Sequence, residues 1–124
     1  MNVSKQNSEL NAFALKGDMI SAVTQFFADN VKTIDHTGAN MGSKQEHLAK
    51  MESFLGGIAK VNGITLHHEA SGEDVSFSEF TFDFDMKDGS KILWHEVLRR
   101  VWENGKVVEE SYFILISSAK DGRN

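Results

Sequence analysis

The stretch from Lys91 to Ile116 constrains the fold of this chain most strongly, because it predicts a β-hairpin. Two runs of alternating apolar residues meet there at Asn104-Gly105. Asn-Gly is the preferred pair for a two-residue type I′ turn, in which both central residues have positive φ. This turn pairs opposite charges across the two strands: Glu103 with Lys106, Arg100 with Glu109 and Arg99 with Glu110. The pairing supports the register, since a slip of one residue would reverse the faces of a strand.

The rest of the sequence predicts helices first and strands later. Apolar residues at helical spacing predict helices over 8–16, 18–30 and 43–58, and the capping-box pattern Ser43-x-x-Glu46 opens the third. A short strand is expected over 31–38, and alternation predicts strands over 64–71 and 75–86. The predicted order is helix, helix, strand, helix and four antiparallel strands. This order predicts an α+β fold in which the helices cover one face of the sheet.

Length and composition limit the classes of function. A chain of 124 residues predicts a single domain, here residues 1–124, with an ordered core of about 8–117 and loose ends. A net charge of −5 without a basic cluster argues against a nucleic-acid partner. No apolar run is long enough to predict a membrane span. The absence of cysteine excludes disulfides and cysteine metal sites, and it fits a cytoplasmic location.

The second turn signal, Asp88-Gly89, decides which residues share a face of the sheet. A two-residue turn there places Phe84 opposite Leu93, Phe82 opposite His95 and Phe80 opposite Val97. The predicted core face then holds Phe80, Phe82, Phe84, Leu93, His95, Val97, Arg99, Val101, Val108, Glu110, Tyr112, Ile114 and Ile116. The opposite face carries apolar residues among charges: Trp94, Leu98, Trp102, Phe113 and Leu115. That face suits a homodimer interface, and the other explanation is a solvated face with scattered apolar residues.

Several segments, taken in order, resemble SnoaL-like domains of the nuclear transport factor-like superfamily. ELNAFALKGDMISAVTQFFADNVKTIDHTG resembles their opening helix pair, Gly-Asp junction and first strand. GSKQEHLAKMESFL resembles the following helix, and ENGKVVEESYFI resembles their terminal hairpin strand. The resemblance spans Glu9 to Ile116. One departure is the absence of the proline that is common after the first strand, where His36-Thr37-Gly38 stands instead.

This resemblance implies a cone-shaped fold, in which a curved antiparallel sheet wraps about three N-terminal helices and leaves a pocket open at one end. The superfamily includes steroid isomerases, polyketide cyclases, dehydratases, epoxide hydrolases and non-catalytic binding modules. Dimers through the outer sheet face are common in it. Because one fold hosts many reactions, the resemblance alone does not choose among these functions.

The predicted core face carries a polar group that suits proton transfer. His95 or Glu110 is a candidate general base and Tyr112 a candidate hydrogen-bond donor to developing negative charge. Phe80, Phe82 and Phe84 would form an apolar wall that raises the pKa of a carboxyl group and excludes water. The structural alternative is that Arg99 and Glu110 form an ion pair and Tyr112 only keeps its hydroxyl at the pocket rim.

Two further segments supply candidate pocket residues. The resemblance places Asp35 and His36 at the pocket mouth, and only one of them can face inward from an extended strand. The structural alternative is that Asp35 caps the loop and His36 is exposed. Phe54 lies on the apolar stripe of the third predicted helix and would line either the core or the pocket. No metal site is expected, because the neighbours His67 and His68 point to opposite faces of a regular strand.

Two hypotheses follow from the sequence. The first is an enzyme that carries out cofactor-free isomerisation, dehydration or cyclisation of a small apolar carbonyl compound by proton transfer. The second is a non-catalytic ligand-binding or dimerisation module with the same pocket. They differ in whether His95, Glu110 and Tyr112 converge on one accessible cavity.

Overall fold

The computed structural model of this chain describes residues 2–120, with side chains up to Leu115. It contains three helices and five strands: α1 (Val3–Leu15), α2 (Met19–Phe26), β1 (Phe27–Ile34), α3 (Lys44–Gly56), β2 (Ile58–Ser71), β3 (Val75–Met86), β4 (Lys91–Glu103) and β5 (Lys106–Lys120). The predicted order of elements and the α+β class are confirmed. No helix within residues 2–120 is long and apolar enough to cross a membrane.

Side-chain caps set the starts of the helices. The side chain of Asn2 accepts a hydrogen bond from the backbone N–H of Lys5 at 3.0 Å, so α1 begins at Val3 rather than at residue 8. The prediction that the first residues are loose is therefore wrong from residue 2 onward. The capping box of α3 forms as predicted, between Ser43 and Glu46. At the other end, β5 continues to Lys120, and the remainder of the predicted loose end, 121–124, lies outside the described residues.

Four strands form an antiparallel sheet in the order β5-β4-β3-β2, and β1 is added beside β5 in parallel. The sheet is thus mixed, whereas the sequence predicted an antiparallel one. The helix predicted over 18–30 ends at Phe26, because the chain becomes extended at Phe27 and enters β1 there. The sheet curves around the three helices. We call the face toward them the inner face and the opposite one the outer face.

The turn between β3 and β4 has three residues instead of two. Met86 donates its backbone N–H to the carbonyl of Ser90 at 2.9 Å, and Lys87, Asp88 and Gly89 form the loop between them. Gly89 takes the positive φ of +90°. The extra residue moves β4 by one position, so Phe84 pairs with Ile92, Phe82 with Trp94 and Phe80 with Glu96. The predicted faces of β4 are therefore exchanged, as expected for a shift of one residue.

The turn at Asn104-Gly105 forms as predicted, with φ of 52° and 78°. Glu103 pairs with Lys106 across it. A bulge at Val108 then shifts the register, so that Arg100 pairs with Glu110. The bulge leaves Glu110, Tyr112 and Ile114 on the inner face, where the sequence placed them.

Candidate functional site

A cavity of about 360 Å³ lies between the inner face of the sheet and the three helices. Its volume falls within the range of small-molecule sites. Apolar residues from all three helices and from β3, β4 and β5 line most of it: Leu10, Ala14, Met19, Ala22, Val23, Met51, Phe54, Phe82, Phe84, Trp94, Leu98 and Ile114. The lining is therefore largely water-repellent, with the polar side chains restricted to a few positions.

Aromatic rings form one wall of the cavity. Phe54 of α3 stacks on Trp94 of β4 with ring centroids 5.4 Å apart and planes 19° apart. The same phenylalanine meets the ring of Phe84 edge-on at 5.9 Å. This arrangement fixes α3 against the sheet and presents a broad, rigid apolar surface to any bound molecule.

The polar part of the cavity is built around a buried ion pair. The Nε of Arg100 donates to Oε2 of Glu110 at 2.7 Å, and only 2% and 5% of the two side chains are exposed. Tyr112 donates its hydroxyl hydrogen to the other carboxylate oxygen of Glu110. Burial and the Glu110 charge raise the pKa of Tyr112 well above its usual value, so it stays protonated. Each oxygen of Glu110 thus has a protein partner.

Glu96 is a second carboxyl group in the same cavity, and its surroundings differ from those of Glu110. Glu96 is only 9% exposed. Among the described residues, none forms a hydrogen bond with its carboxyl group, which borders the cavity. Burial and the nearby charge of Glu110 raise the pKa of Glu96 from 4.5 to about 7, against a lowering influence of Arg100. Glu96 is therefore a cavity carboxyl group that can gain or lose a proton near neutral pH.

His47 of α3 closes the polar part of the cavity. Its ring stacks on Phe27 at 5.7 Å, and its Nε2 lies 3.5 Å from the hydroxyl oxygen of Tyr112. It is 8% exposed, and burial lowers its pKa, so the imidazole is neutral at pH 7. The sequence did not indicate His47 as a pocket residue, because it interrupts no apolar pattern.

Asp35 and His36 both border the cavity at its mouth. The expectation that only one could face inward assumed a strand, but β1 ends at Ile34 and both residues lie in the following loop. The carboxylate of Asp35 accepts hydrogen bonds from the hydroxyl and the backbone N–H of Thr37, at 2.6 and 2.8 Å, and these bonds lower its pKa. Asp35 therefore shapes the loop as an ionised cap, while His36 is exposed.

No family model and no curated protein matches the sequence. Solved structures match the fold. A candidate SnoaL-like polyketide cyclase from Mesorhizobium loti superposes with a TM-score of 0.79 at 20% identity, over 91% of this chain and 99% of that one. A candidate hydroxylase from Streptomyces galilaeus gives 0.75 at 17% identity, over 91% and 90%. A protein with a ketosteroid isomerase-like fold from Catenulispora acidiphila, solved with trimethylamine, gives 0.66 at 16% identity, over 82% and 79%.

This chain has the nuclear transport factor-like fold. The superposition spans nearly its whole length, so the resemblance stated from the sequence is confirmed at the level of fold. The three neighbours carry three different descriptions: cyclase, hydroxylase and isomerase-like. Identities of 20% or less leave the reaction open, and the function must be argued from the cavity itself.

Several of the residues singled out from the sequence line the cavity of this nuclear transport factor-like fold: Asp35, His36, Phe54, Phe82, Phe84, Glu110 and Tyr112. Phe80 does not, because it is completely buried in the packed core beside the cavity. The structure brings Glu110 and Tyr112 together, but it separates them from His95.

His95 and Arg99 lie on the outer face, so the prediction that they project into the pocket is wrong. The one-residue difference in the turn before β4 is the cause. The Nε2 of His95 lies 2.5 Å from a carboxylate oxygen of Glu79, and Arg99 pairs with Glu109 at 3.0 Å. The places expected for His95 and Arg99 on the inner face are taken by Glu96 and Arg100.

A bulge in β2 corrects another expectation. The register shifts between Leu66 and His68, and both His67 and His68 point to the outer face. His67 bonds Thr81 at 2.7 Å, and His68 bonds Glu79 at 3.0 Å. Within residues 2–120, no group of three or more histidine, aspartate or glutamate side chains has the arrangement of a metal site.

The residues that the sequence analysis missed are Glu96, Arg100, Trp94 and His47. The pattern of β4 held no decisive signal for the first three. One parity row carries the apolar residues Ile92, Trp94, Leu98 and Trp102, and the other carries Leu93, Val97 and Val101, so the pattern of β4 alone favours neither face.

Proposed function

We propose that this protein binds a small, largely apolar carbonyl compound in the cavity and exchanges a proton with it, in a cofactor-free isomerisation, dehydration or cyclisation. The observation that carries the proposal is Glu96: a carboxyl group 9% exposed, without a hydrogen-bond partner among the described residues, and with a pKa of about 7. A general acid or base works best when its pKa lies near the working pH.

In this proposal each polar residue has a separate role. The ionised form of Glu96 removes a proton from carbon, and its protonated form returns one. The Arg100 guanidinium borders the same cavity and supplies positive charge against the negative charge that develops on the carbonyl oxygen. Glu110 and Tyr112 form a fixed pair beside them, and the apolar wall excludes water. The cysteine-free sequence fits the cytoplasm as the location of this activity.

The experiment uses 2-tetralone, a bicyclic ketone with acidic hydrogens next to the carbonyl. Exchange of these hydrogens for deuterium is followed by NMR in D₂O at neutral pH. The wild type should accelerate exchange, and Glu96→Gln should lose this acceleration by about 100-fold or more. Glu79→Gln, on the outer face, is the matched control and should exchange as fast as the wild type. Equal exchange by wild type and Glu96→Gln would contradict the assignment of Glu96.

One observation favours the second candidate, a non-catalytic binding module. Tyr112 already donates its single hydroxyl hydrogen to Glu110, so it is not a free donor to an oxyanion. Binding of 2-naphthol, a planar analogue of the enol of 2-tetralone, separates the two functions by fluorescence titration. If the wild type binds 2-naphthol but leaves the exchange of 2-tetralone at the buffer rate, the module is correct and the enzyme is not.

We also propose a homodimer through the outer face. Its apolar members differ from those expected, since Trp94, Leu98 and Trp102 lie on the inner face. The exposed apolar side chains of the outer face are Phe77 at 41%, Leu93 at 37%, Phe113 at 50% and Leu115 at 58%. Four such residues on one sheet face support an interface with a second copy.

A further inference from the structure

The two glutamates of the cavity, Glu96 and Glu110, have different surroundings, and the difference originates at α1. Glu110 is neutralised by Arg100, whereas Glu96 is not paired with any described residue. Arg100 is only 2% exposed, and a guanidinium removed from water needs a partner for each of its donors. What holds Arg100 in place therefore determines how charge is divided between the two carboxyl groups.

Two asparagines of α1 hold Arg100. Its Nη1 donates to Oδ1 of Asn7 at 2.8 Å and to Oδ1 of Asn11 at 2.7 Å. The two asparagines are four residues apart and lie on the same side of the helix. They are 2% and 1% exposed, which is unusual for a residue type that usually lies at the surface.

The orientation of both amides is fixed from the sheet. The Nδ2 groups of Asn7 and Asn11 both donate to the hydroxyl oxygen of Ser78, at 2.9 and 2.8 Å. Ser76 donates to Oδ1 of Asn7 at 2.9 Å and accepts from the indole of Trp102 at 2.9 Å. The Nδ2 of Asn11 also donates to Oε2 of Glu69 at 2.8 Å. Because the amide nitrogens are committed to Ser78 and Glu69, the amide oxygens must face Arg100.

We propose that Asn7 and Asn11 are positioning residues, which through Arg100 determine that Glu96, and not Glu110, is the cavity carboxyl that exchanges protons. The catalytic meaning of this inference rests on the proposed function, but the division of charge itself does not. The asparagines act at a distance from the cavity: neither borders it, and Arg100 does. If the two asparagines served folding alone, their hydrogen bonds would contribute to stability and leave the protonation of Glu96 unchanged.

Loss of either asparagine should raise the pKa of Glu96. The charge of Arg100 lowers the pKa of Glu96, and the charge of Glu110 raises it. When Arg100 is no longer held, it lowers this pKa less and neutralises Glu110 less. Both changes raise the pKa of Glu96.

The test is an NMR titration of the Glu96 side-chain carboxyl carbon in protein labelled with ¹³C-glutamate, with Glu96→Gln assigning the signal. It needs no substrate. The midpoint, near pH 7 in the wild type, should move upward by at least half a pH unit in Asn7→Leu and in Asn11→Leu. Asn7→Ala, in which water can replace the amide, should give a smaller upward shift and serves if the leucine variants do not fold.

Val3→Ala is the matched control, because Val3 is a buried residue of α1 that does not border the cavity and is not a hydrogen-bond partner of Arg100. It should lower the melting temperature and leave the midpoint of Glu96 unchanged. A midpoint that stays in place or falls in the asparagine variants overturns the inference, even if their stability drops. If the midpoint rises in the asparagine variants while the wild type does not accelerate hydrogen exchange of 2-tetralone, the positioning role stands and the proposed reaction is wrong.

Discussion

Two arginine–glutamate pairs join β4 and β5 on opposite faces of the sheet, and they differ in their access to water. Arg100 and Glu110 lie on the inner face, with 2% and 5% of their side chains exposed. Arg99 and Glu109 lie on the outer face, with 36% and 32% exposed. Water solvates the outer pair whether or not the two side chains meet, so this pair contributes little to stability. Water does not reach the inner pair, which needs Asn7, Asn11 and Tyr112 to complete its hydrogen bonds.

The comparison shows how burial turns common surface chemistry into a site. The same two residue types, one position apart on each strand, make an ordinary ion pair on one face and a fixed charge inside a cavity on the other. The buried pair then acts on its neighbour Glu96: the charge of Glu110 raises the pKa of Glu96, and the charge of Arg100 lowers it. The exposed pair, screened by water, has no such influence.

The largest effect is expected from breaking the inner pair. Arg100→Met should cost about 3–5 kcal/mol of unfolding free energy, because Glu110 is left buried without its cation. Arg99→Met, the matched change on the outer face, should cost less than about 1 kcal/mol. Urea denaturation of the two variants measures both. Similar costs would show that the inner face is hydrated and that the contrast between the faces is unfounded.

The second effect concerns the pH dependence of stability. The pKa of Glu96 is about 7 in the folded protein and near 4.5 when unfolded, so the folded state retains a proton that the unfolded state loses. The contribution of Glu96 to stability is therefore full below pH 4.5 and falls as the pH rises toward 7, by about 3 kcal/mol in total. Glu96→Gln should remove this loss, and its stability advantage over the wild type should grow from pH 4.5 to pH 8 in thermal melts.

Glu79→Gln, on the outer face, should behave in the opposite way. Hydrogen bonds from His68 and His95 lower the pKa of Glu79, so its carboxylate stabilises the fold above pH 4.5 and less as the pH falls. Its replacement should lower the melting temperature slightly at neutral pH and hardly at low pH. A stability difference between Glu96→Gln and the wild type that is flat with pH would mean that Glu96 titrates like an exposed glutamate.

The sequence was sufficient for the order of elements, because caps, glycine stops and hydrophobic periods are local signals. Ser43 and Glu46 opened α3, and Asn104-Gly105 closed the last hairpin, as predicted. The faces of β4 were not predictable. Asp88-Gly89 fits a two-residue turn and equally a three-residue turn with Gly89 at positive φ, and the choice exchanges the faces.

The turns and bulges of the sheet decided which residues of the candidate site were predicted correctly. Glu110 and Tyr112 were placed correctly, although the prediction lacked the bulge at Val108 that shifts their pairing. Glu96 was missed because the wrong turn length put it on the outer face. The buried asparagines of α1 were beyond reach, since a polar residue in a helix predicts exposure unless its partners in the sheet are known.

The third prediction concerns the oligomeric state, which decides whether the outer face is exposed to solvent or buried between two copies. In solution at micromolar concentration, light scattering should give about twice the mass of the 13.8 kDa chain. Phe113→Asp should return one chain mass, because a charge at the centre of an apolar interface is desolvated without a partner. Leu15→Asp is the control, since Leu15 is also exposed, at 43%, but belongs to α1. A monomeric wild type would end the dimer proposal and leave the outer pair in water, as described above.

The smallest effect tests the turn that aligns both ion pairs. Gly105 has a φ of +78°, a conformation that costs a residue with a side chain about 1–2 kcal/mol. Gly105→Val should therefore lower the unfolding free energy by about that amount, measured by urea denaturation. Gly63→Val is the control: Gly63 lies in β2 without positive φ, and a Cβ added there meets nothing within 4 Å. If Gly105→Val costs no more than Gly63→Val, the turn is free to adopt another form. The register that places Arg100 inside and Arg99 outside must then be fixed by the bulge and the buried network instead.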